Sequence, residues 1–123
     1  MPDTAEPGHT AAAERRAQLR SDFHAQTARI AFTELQRYFA GGHLVRVRSG
    51  LDLVDVAVAL AEDDRQRFEA WIRTGEVAVV DDGQARRWLE FDSELWAVVA
   101  QPWVLVQESR RDKDRGSEQA GDR

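Results

Sequence analysis

The amino-acid sequence predicts an α+β fold, with a small mixed or antiparallel sheet of about four strands covered by about four helices. Segments whose apolar residues have helical spacing alternate with short runs of β-branched residues. The most apolar run, residues 95–107, holds two of the four tryptophans. It is too short to span a bilayer, and its β-branched and aromatic content is typical of buried strand.

Length and composition predict a single domain. A chain of 123 residues with 42% hydrophobic residues can bury a core without disulfides, and it contains no cysteine. Residues 1–13 and 109–123 are almost entirely small, polar or charged, so we expect disordered tails around a domain of residues 14–108. Because the N-terminus lacks the apolar stretch of a signal peptide, we expect a cytoplasmic protein without a membrane segment.

The charge balance argues against nucleic acid as a partner. Seventeen basic residues against 22 acidic ones give a net charge of −5. A nucleic-acid surface would require the arginines of two separate segments to meet on one face: Arg15, Arg16, Arg20, Arg86 and Arg87.

The N-terminal part predicts two helices. A helix over residues 14–30 is indicated by three apolar residues on one face, namely Leu19, Phe23 and Ile30. Thr33 and Gln36 then have the spacing of a capping box, which predicts a short second helix ending at Gly41 and Gly42.

Residues 45–56 admit two interpretations. In the favoured one they form a hairpin around residues 49–52, which sets apolar residues opposite each other on one face and Arg46 opposite Asp55 on the other. The apolar pairs would be Val47 with Val54 and Val45 with Val56. In the alternative, Asp52 caps a helix whose shared apolar face consists of Leu53, Val56, Ala57 and Leu60.

Two further helices and two strands follow. After the acidic cluster, Phe68, Trp71 and Ile72 predict a helix that ends at Gly75. Residues 77–80 predict a buried strand. Asp81 and Gln84 have the spacing of a helix start and predict a helix that ends near Asp92. The residues on its inner face would be Ala85, Trp88 and Leu89.

The last apolar run contains a proline near its middle. Pro102 has no N–H to donate to a neighbouring strand. Residues 95–107 therefore lie at a sheet edge or bend at Pro102 into two shorter strands.

Several of these segments together resemble a known bacterial family. They are Thr27-Ala-Arg-Ile, residues 34–40, residues 51–64, Trp71-Ile72 before Gly75, and residues 96–108. In this order they resemble the domain of unknown function 2288 (DUF2288) over residues 25–108. The resemblance implies a single-domain bacterial protein and no particular activity, cofactor or catalytic residue.

Glu62, Asp63 and Asp64 are the candidate metal ligands. Carboxylates at the start of a helix can bind Mg²⁺ or Mn²⁺. If Arg46 or Arg48 also bound the substrate's anionic group, the protein would be a small metal-dependent phosphate-handling enzyme. Helix capping explains the same residues. Three adjacent side chains cannot all point at one ion without an unusual backbone.

No catalytic residue or cofactor is predicted. His43 follows the Gly41-Gly42 stop and is interpreted as a loop histidine. The sequence contains no phosphate-loop, dinucleotide-binding or nucleophile-elbow motif.

The leading hypothesis is a non-enzymatic interaction or regulatory module. It would self-associate or bind a protein partner through the C-terminal strand. The candidate contact residues are Arg46, Arg48, Trp96 and Trp103. The two tryptophans are seven residues apart, so on one strand without a bulge at Pro102 they would point to opposite faces. One of them would then be exposed, unless the sheet is covered on both faces.

Overall fold

The computed structural model describes residues 6–109 and has the predicted α+β class. Its helices are α1 (Glu6–Gln26), α2 (Gln36–Ala40), α3 (Leu53–Ala61), α4 (Arg65–Arg73) and α5 (Asp82–Glu90), with a 3₁₀ turn at Phe32–Glu34. Its strands are β1 (Ala28–Ala31), β2 (Leu44–Val47), β3 (Val77–Val79), β4 (Glu94–Ala100) and β5 (Trp103–Glu108). None of the described helices combines the length and the apolar character needed to cross a membrane.

The five strands form one mixed sheet in the order β1-β4-β5-β2-β3. Neighbouring strands are antiparallel except β2 and β5, which are parallel. Strand β1 was not predicted, because the helical spacing of the apolar residues assigned Ile30 to the first helix. The C-terminal strand β5 lies inside the sheet with a neighbour on each side, so it is not an edge strand.

One face of the sheet, the α3 face, is covered by α1, α3 and α4. Its core consists of residues from the strands and from α3 and α4: Val45, Val47, Leu53, Val56, Ala57, Ala59, Trp71, Val77, Val98, Ala100 and Leu105. Side chains on a strand alternate between the two faces, so the core residues of one strand are two positions apart, as Val45 and Val47 are.

The opposite face, the α5 face, is covered by the 3₁₀ turn, α2 and α5. Its core consists of residues from the strands, the 3₁₀ turn, α5 and adjoining positions, with Tyr38 and Phe39 of α2 packed against them: Phe32, Leu35, Leu44, Val80, Ala85, Trp88, Leu95, Ala97, Val104 and Val106. The sheet is therefore covered on both sides, with a separate apolar cluster on each.

The favoured hairpin at residues 45–56 is wrong, and the alternative is correct. Asp52 caps α3, its side chain accepting a hydrogen bond from the backbone N–H of Val54 at 2.9 Å. Six residues of α3 are buried, because the helix lies between α1 and the sheet. A helix that is apolar on most sides is typical of such a position. The strand partners of Val45 and Val47 are Val79 and Val77.

The first helix begins and ends earlier than predicted. It starts at Glu6, so residues 6–13, expected in the tail, are helical, and it ends at Gln26 rather than Ile30. The predicted tails at residues 1–5 and 110–123 lie outside the described residues.

The predicted capping box is also absent. Leu35 is the N-cap residue of α2, and no side chain bonds to that helix start. The 3₁₀ turn places Thr33 before the α-helix begins.

The remaining helix boundaries follow the predicted signals. The side chains of Asp64 and Asp81 cap α4 and α5, accepting from the N–H groups of Arg67 at 3.2 Å and Gln84 at 2.8 Å. Gly75, with φ of 81°, ends the turn after α4 in the left-handed conformation that glycine adopts without strain. Residues 95–107 bend at Pro102, and the result is the β4–β5 hairpin.

Candidate functional site

The acidic cluster does not form one site. Glu62 forms an ion pair with Arg16 of α1 at 3.5 Å, while Asp63 lies exposed 3.6 Å from Arg65. Asp64 is occupied in capping α4. Within residues 11–109, no group of three His, Asp or Glu side chains could hold a metal ion. The three candidate ligands therefore do not converge on one point, as the metal-dependent hypothesis required.

A different carboxylate pair has a structural partner. Arg20 of α1 hydrogen-bonds Asp52, at 3.1 Å, and Asp55. Partial burial alone would raise the pKa of Asp52, but hydrogen bonds from Arg20 and from the Val54 N–H lower that pKa overall. The same bond to Asp52 raises the pKa of Arg20. Asp55 thus pairs with Arg20, not with Arg46 as the hairpin interpretation required.

The arginines considered for nucleic acid binding do not share a face. Arg16 and Arg20 lie on α1, over the α3 face, and both are ion-paired. Arg86 and Arg87 lie on α5, on the opposite side of the sheet, where Arg87 donates to the side chain of Gln84 at 3.0 Å.

The two candidate tryptophans lie on the same face of the sheet. The hairpin register pairs Trp96 with Gln107 and Ala100 with Trp103, so both point to the α3 face. Trp103 is half-buried against the core, with its ring centroid 6.0 Å from that of His43. Trp96 is 37% exposed and packs under Arg29. Opposite faces were expected only for a strand without a bulge at Pro102; the chain bends there, which puts both tryptophans on one face, and Trp96 is the exposed one.

Arg46 and Arg48 remain together on β2 and its continuation. Arg46 is half-buried on the α5 face, and its register neighbours are Ala78 on one side and Val106 on the other. Arg48 is exposed, and its backbone N–H donates to the carbonyl of Glu76 at 2.8 Å.

A groove of about 240 Å³ on the α5 face was not predicted. It lies where β4 and β5 approach the 3₁₀ turn, α2 and the end of α1, and its mainly apolar wall comes from Gln26, Ile30, Glu34, Leu35, Arg37, Tyr38, Ala97, Val98, Val99 and Val104. Val99 is 45% exposed in this position. The residues come from distant parts of the chain, so no local pattern could have indicated the groove.

The same region contains an incompletely paired strand. β1 begins at Ala28, opposite Ala97, so Val98, Val99 and Ala100 pair with β5 on one side and with no described strand on the other. Backbone groups alternate in direction along an antiparallel strand, so at least one of these residues turns its N–H and C=O away from β5.

Charged residues flank the groove. The guanidinium of Arg37 lies 5.0 Å from the ring centre of Tyr38 and donates to its hydroxyl at 3.0 Å. Glu34 lies on the same lining. The groove thus combines an apolar floor with one fixed cation and one carboxylate.

A second polar arrangement that sequence analysis missed joins α5 to β5. Glu108 accepts hydrogen bonds from the indole N–H of Trp88 at 3.0 Å and from the Gln84 amide at 3.4 Å. Trp88 is buried, so this contact satisfies its only polar group.

Comparison with known proteins gives a family and a fold. The model of the protein family of unknown function DUF2288 matches residues 18–108. The chain is similar to the solved NMR structure of PA1075 from Pseudomonas aeruginosa, with 46% sequence identity and a TM-score of 0.67 over 74% of this chain and 84% of that one. No curated protein matches. The chain therefore belongs to the DUF2288 family, as its sequence motifs indicated.

Proposed function

We propose that this protein is a non-enzymatic interaction module that binds an extended segment of another polypeptide at the groove beside β4. The observation that carries the proposal is the coincidence of the groove with the unpaired side of Val98, Val99 and Ala100. An unpaired strand edge is a template for adding one more strand. We place this activity in the cytoplasm.

The groove supplies the specificity that a strand edge alone lacks. A segment paired with β4 projects alternate side chains toward the α5 face. There they meet the apolar lining around Ile30, Val99 and Val104. We therefore expect a partner segment with an apolar residue at every second position.

Val99 is the contact residue in this proposal, in place of Trp96 and Trp103. It is exposed, belongs to the groove and lies within the unpaired stretch. The C-terminal hairpin therefore keeps its proposed role, but through β4 rather than β5.

Selection of binders from a random-peptide library on the full chain tests the proposal. We expect enriched peptides with alternating apolar residues that bind the wild type and lose binding to Val99→Lys. Val79→Lys is the matched control, because Val79 is an exposed valine on β3, at the other edge of the sheet.

The same variants show whether the segment bound in the groove belongs to a second copy of this chain or to another protein. If the wild-type chain forms an oligomer that Val99→Lys dissociates and Val79→Lys leaves intact, the segment belongs to a second copy. A monomeric wild type that enriches no peptide contradicts the proposal, as does peptide binding that both variants retain.

A further inference from the structure

We infer that Arg46 and Arg48 form a binding site for an oxyanion, a phosphoryl or carboxylate group of a small molecule. This site is separate from the groove beside β4 and does not depend on the proposed function. It rests on the burial of Arg46, on the absence of a described acidic partner for either arginine, and on their spacing along β2.

The burial of Arg46 sets it apart. Among the arginines of residues 11–109, Arg46 alone is half-buried, and the others are exposed. Its neighbours in register, Ala78 and Val106, offer no side-chain acceptor. An arginine in such a position can bury its methylene stem along the sheet and keep the guanidinium in water, where a ligand can reach it.

Three of the exposed arginines that contact the fold have carboxylate partners. Arg29 pairs with Glu94 at 3.3 Å, and Arg16 with Glu62 at 3.5 Å. Arg20 pairs with Asp52 and Asp55. In the described part of the chain, by contrast, no carboxylate oxygen lies within 4.0 Å of a nitrogen of Arg46 or Arg48. Neither arginine has a side-chain hydrogen bond or an aromatic contact there.

The carboxylates in this part of the sheet already have other donors. Glu108 accepts from Trp88 and Gln84, which fixes it beneath α5. The side chain of Glu76, beside the backbone of Arg48, accepts from the Thr74 hydroxyl at 3.0 Å. These neutral donors leave both carboxylates charged, but neither carboxylate lies within 4.0 Å of a nitrogen of Arg46 or Arg48, so the two guanidinium groups keep their N–H donors for an acceptor from outside the described chain.

The spacing of the two arginines suits one shared anion. Residues two apart on a strand project from the same face, roughly 7 Å apart at their Cα atoms. Guanidinium groups present several N–H donors in a plane and bind phosphate and carboxylate oxygens through paired, charge-assisted hydrogen bonds. An oxyanion on the α5 face would thus be held from two sides.

Titration followed by NMR tests this inference. Inorganic phosphate and succinate are added separately to the full chain at constant ionic strength, and the Arg side-chain N–H and backbone amide signals are monitored. We expect saturable shifts at Arg46, Arg48 and Ala78, with binding weakened about tenfold or more in Arg46→Gln/Arg48→Gln. Whichever anion binds more tightly identifies the class of ligand.

The control carries the same change of charge. Arg65→Gln/Arg73→Gln removes two arginines from α4, which packs on the α3 face, and should retain wild-type affinity. Arg48→Gln alone, at an exposed position, provides a test if the double variant does not fold. The inference is overturned if neither anion gives saturable shifts, or if the α4 variant weakens binding as much as the β2 variant.

Discussion

The two faces of the sheet are covered to different degrees. On the α3 face, three helices of nine or more residues cover a cluster that includes Val56 and Leu105, both fully buried, and the exposed apolar residues of that face, Trp96 and Val79, lie outside this cluster. On the α5 face, the five-residue α2 and the nine-residue α5 leave Val99 exposed and Arg46 half-buried. A sheet face that short helices cover retains surface for ligands, so stability and binding should depend on different faces of this molecule.

The largest effect is expected in the cluster on the α3 face. Leu105→Ala on β5 should lower the free energy of unfolding by about 2–5 kcal/mol, because it removes a fully buried side chain from a central strand and leaves a cavity. Urea unfolding followed by tryptophan fluorescence measures this change. A loss below about 1 kcal/mol would show that the α3 face is not tightly packed.

The polar link on the α5 face should contribute less. Trp88→Phe removes the indole N–H that Glu108 accepts and should cost about 1–2 kcal/mol beyond the change in packing. Trp71→Phe is the matched control, because Trp71 is also buried but its indole N–H has no described acceptor. Equal unfolding free energies for the two variants would contradict a role for the Glu108 contact.

Helix caps allow a direct comparison of the faces. Asp52→Ala on the α3 face should cost about 1 kcal/mol or slightly more, because Asp52 caps α3 and also bonds Arg20. Asp81→Ala removes the cap of α5 and no ion pair, so it should cost less. Thermal unfolding of both variants under one buffer condition decides the order, and a larger effect for Asp81→Ala would contradict it.

Acid should reduce the stability that Asp52 provides. The folded-state pKa of Asp52 is lowered, so its contribution is complete above the ordinary aspartate value of about 4 and is lost as the pH falls through the lowered pKa. The difference in unfolding free energy between wild type and Asp52→Asn should therefore shrink as the pH falls from about 5 towards 2. A difference that is constant over this range would show that the pKa of Asp52 is not lowered.

The smallest change in stability is expected at the groove. Val99→Lys should alter the unfolding free energy by less than about 0.5 kcal/mol, because Val99 is 45% exposed and belongs to neither core cluster. Val79→Lys should behave alike. A loss of about 2 kcal/mol in Val99→Lys alone would mean that Val99 belongs to the core, and its effect on peptide binding would then reflect unfolding.

Helix boundaries were predictable where a local interaction sets them. Asp64 and Asp81 accept from the N–H groups three residues on, and Gly75 adopts a left-handed conformation, so neighbours in sequence decide these ends. The helix-or-strand choice for residues 53–60 was not local. Their apolar side chains suit either structure, and the position between α1 and the sheet decided for the helix.

Strand pairing was likewise beyond local patterns. Arg46 and Asp55 suggested a cross-strand pair, yet Asp55 bonds Arg20 from α1 and Arg46 lies next to Ala78. Local patterns did not indicate the candidate site either. Val99 gave no signal in the sequence, since its exposure results from the short helices over the α5 face and its lack of a described strand partner on one side from β1 beginning only opposite Ala97.

The sequence by itself determined the α+β class, the family, the caps of α4 and α5 and the bend at Pro102, because each depends on composition, motif or contacts between near neighbours. Only the tertiary structure decided that β5 lies inside the sheet, that α3 is a helix, and that a groove and the half-buried Arg46 share the α5 face. These features arise from which distant segments pack together, and burial of apolar surface has no preferred direction along the chain.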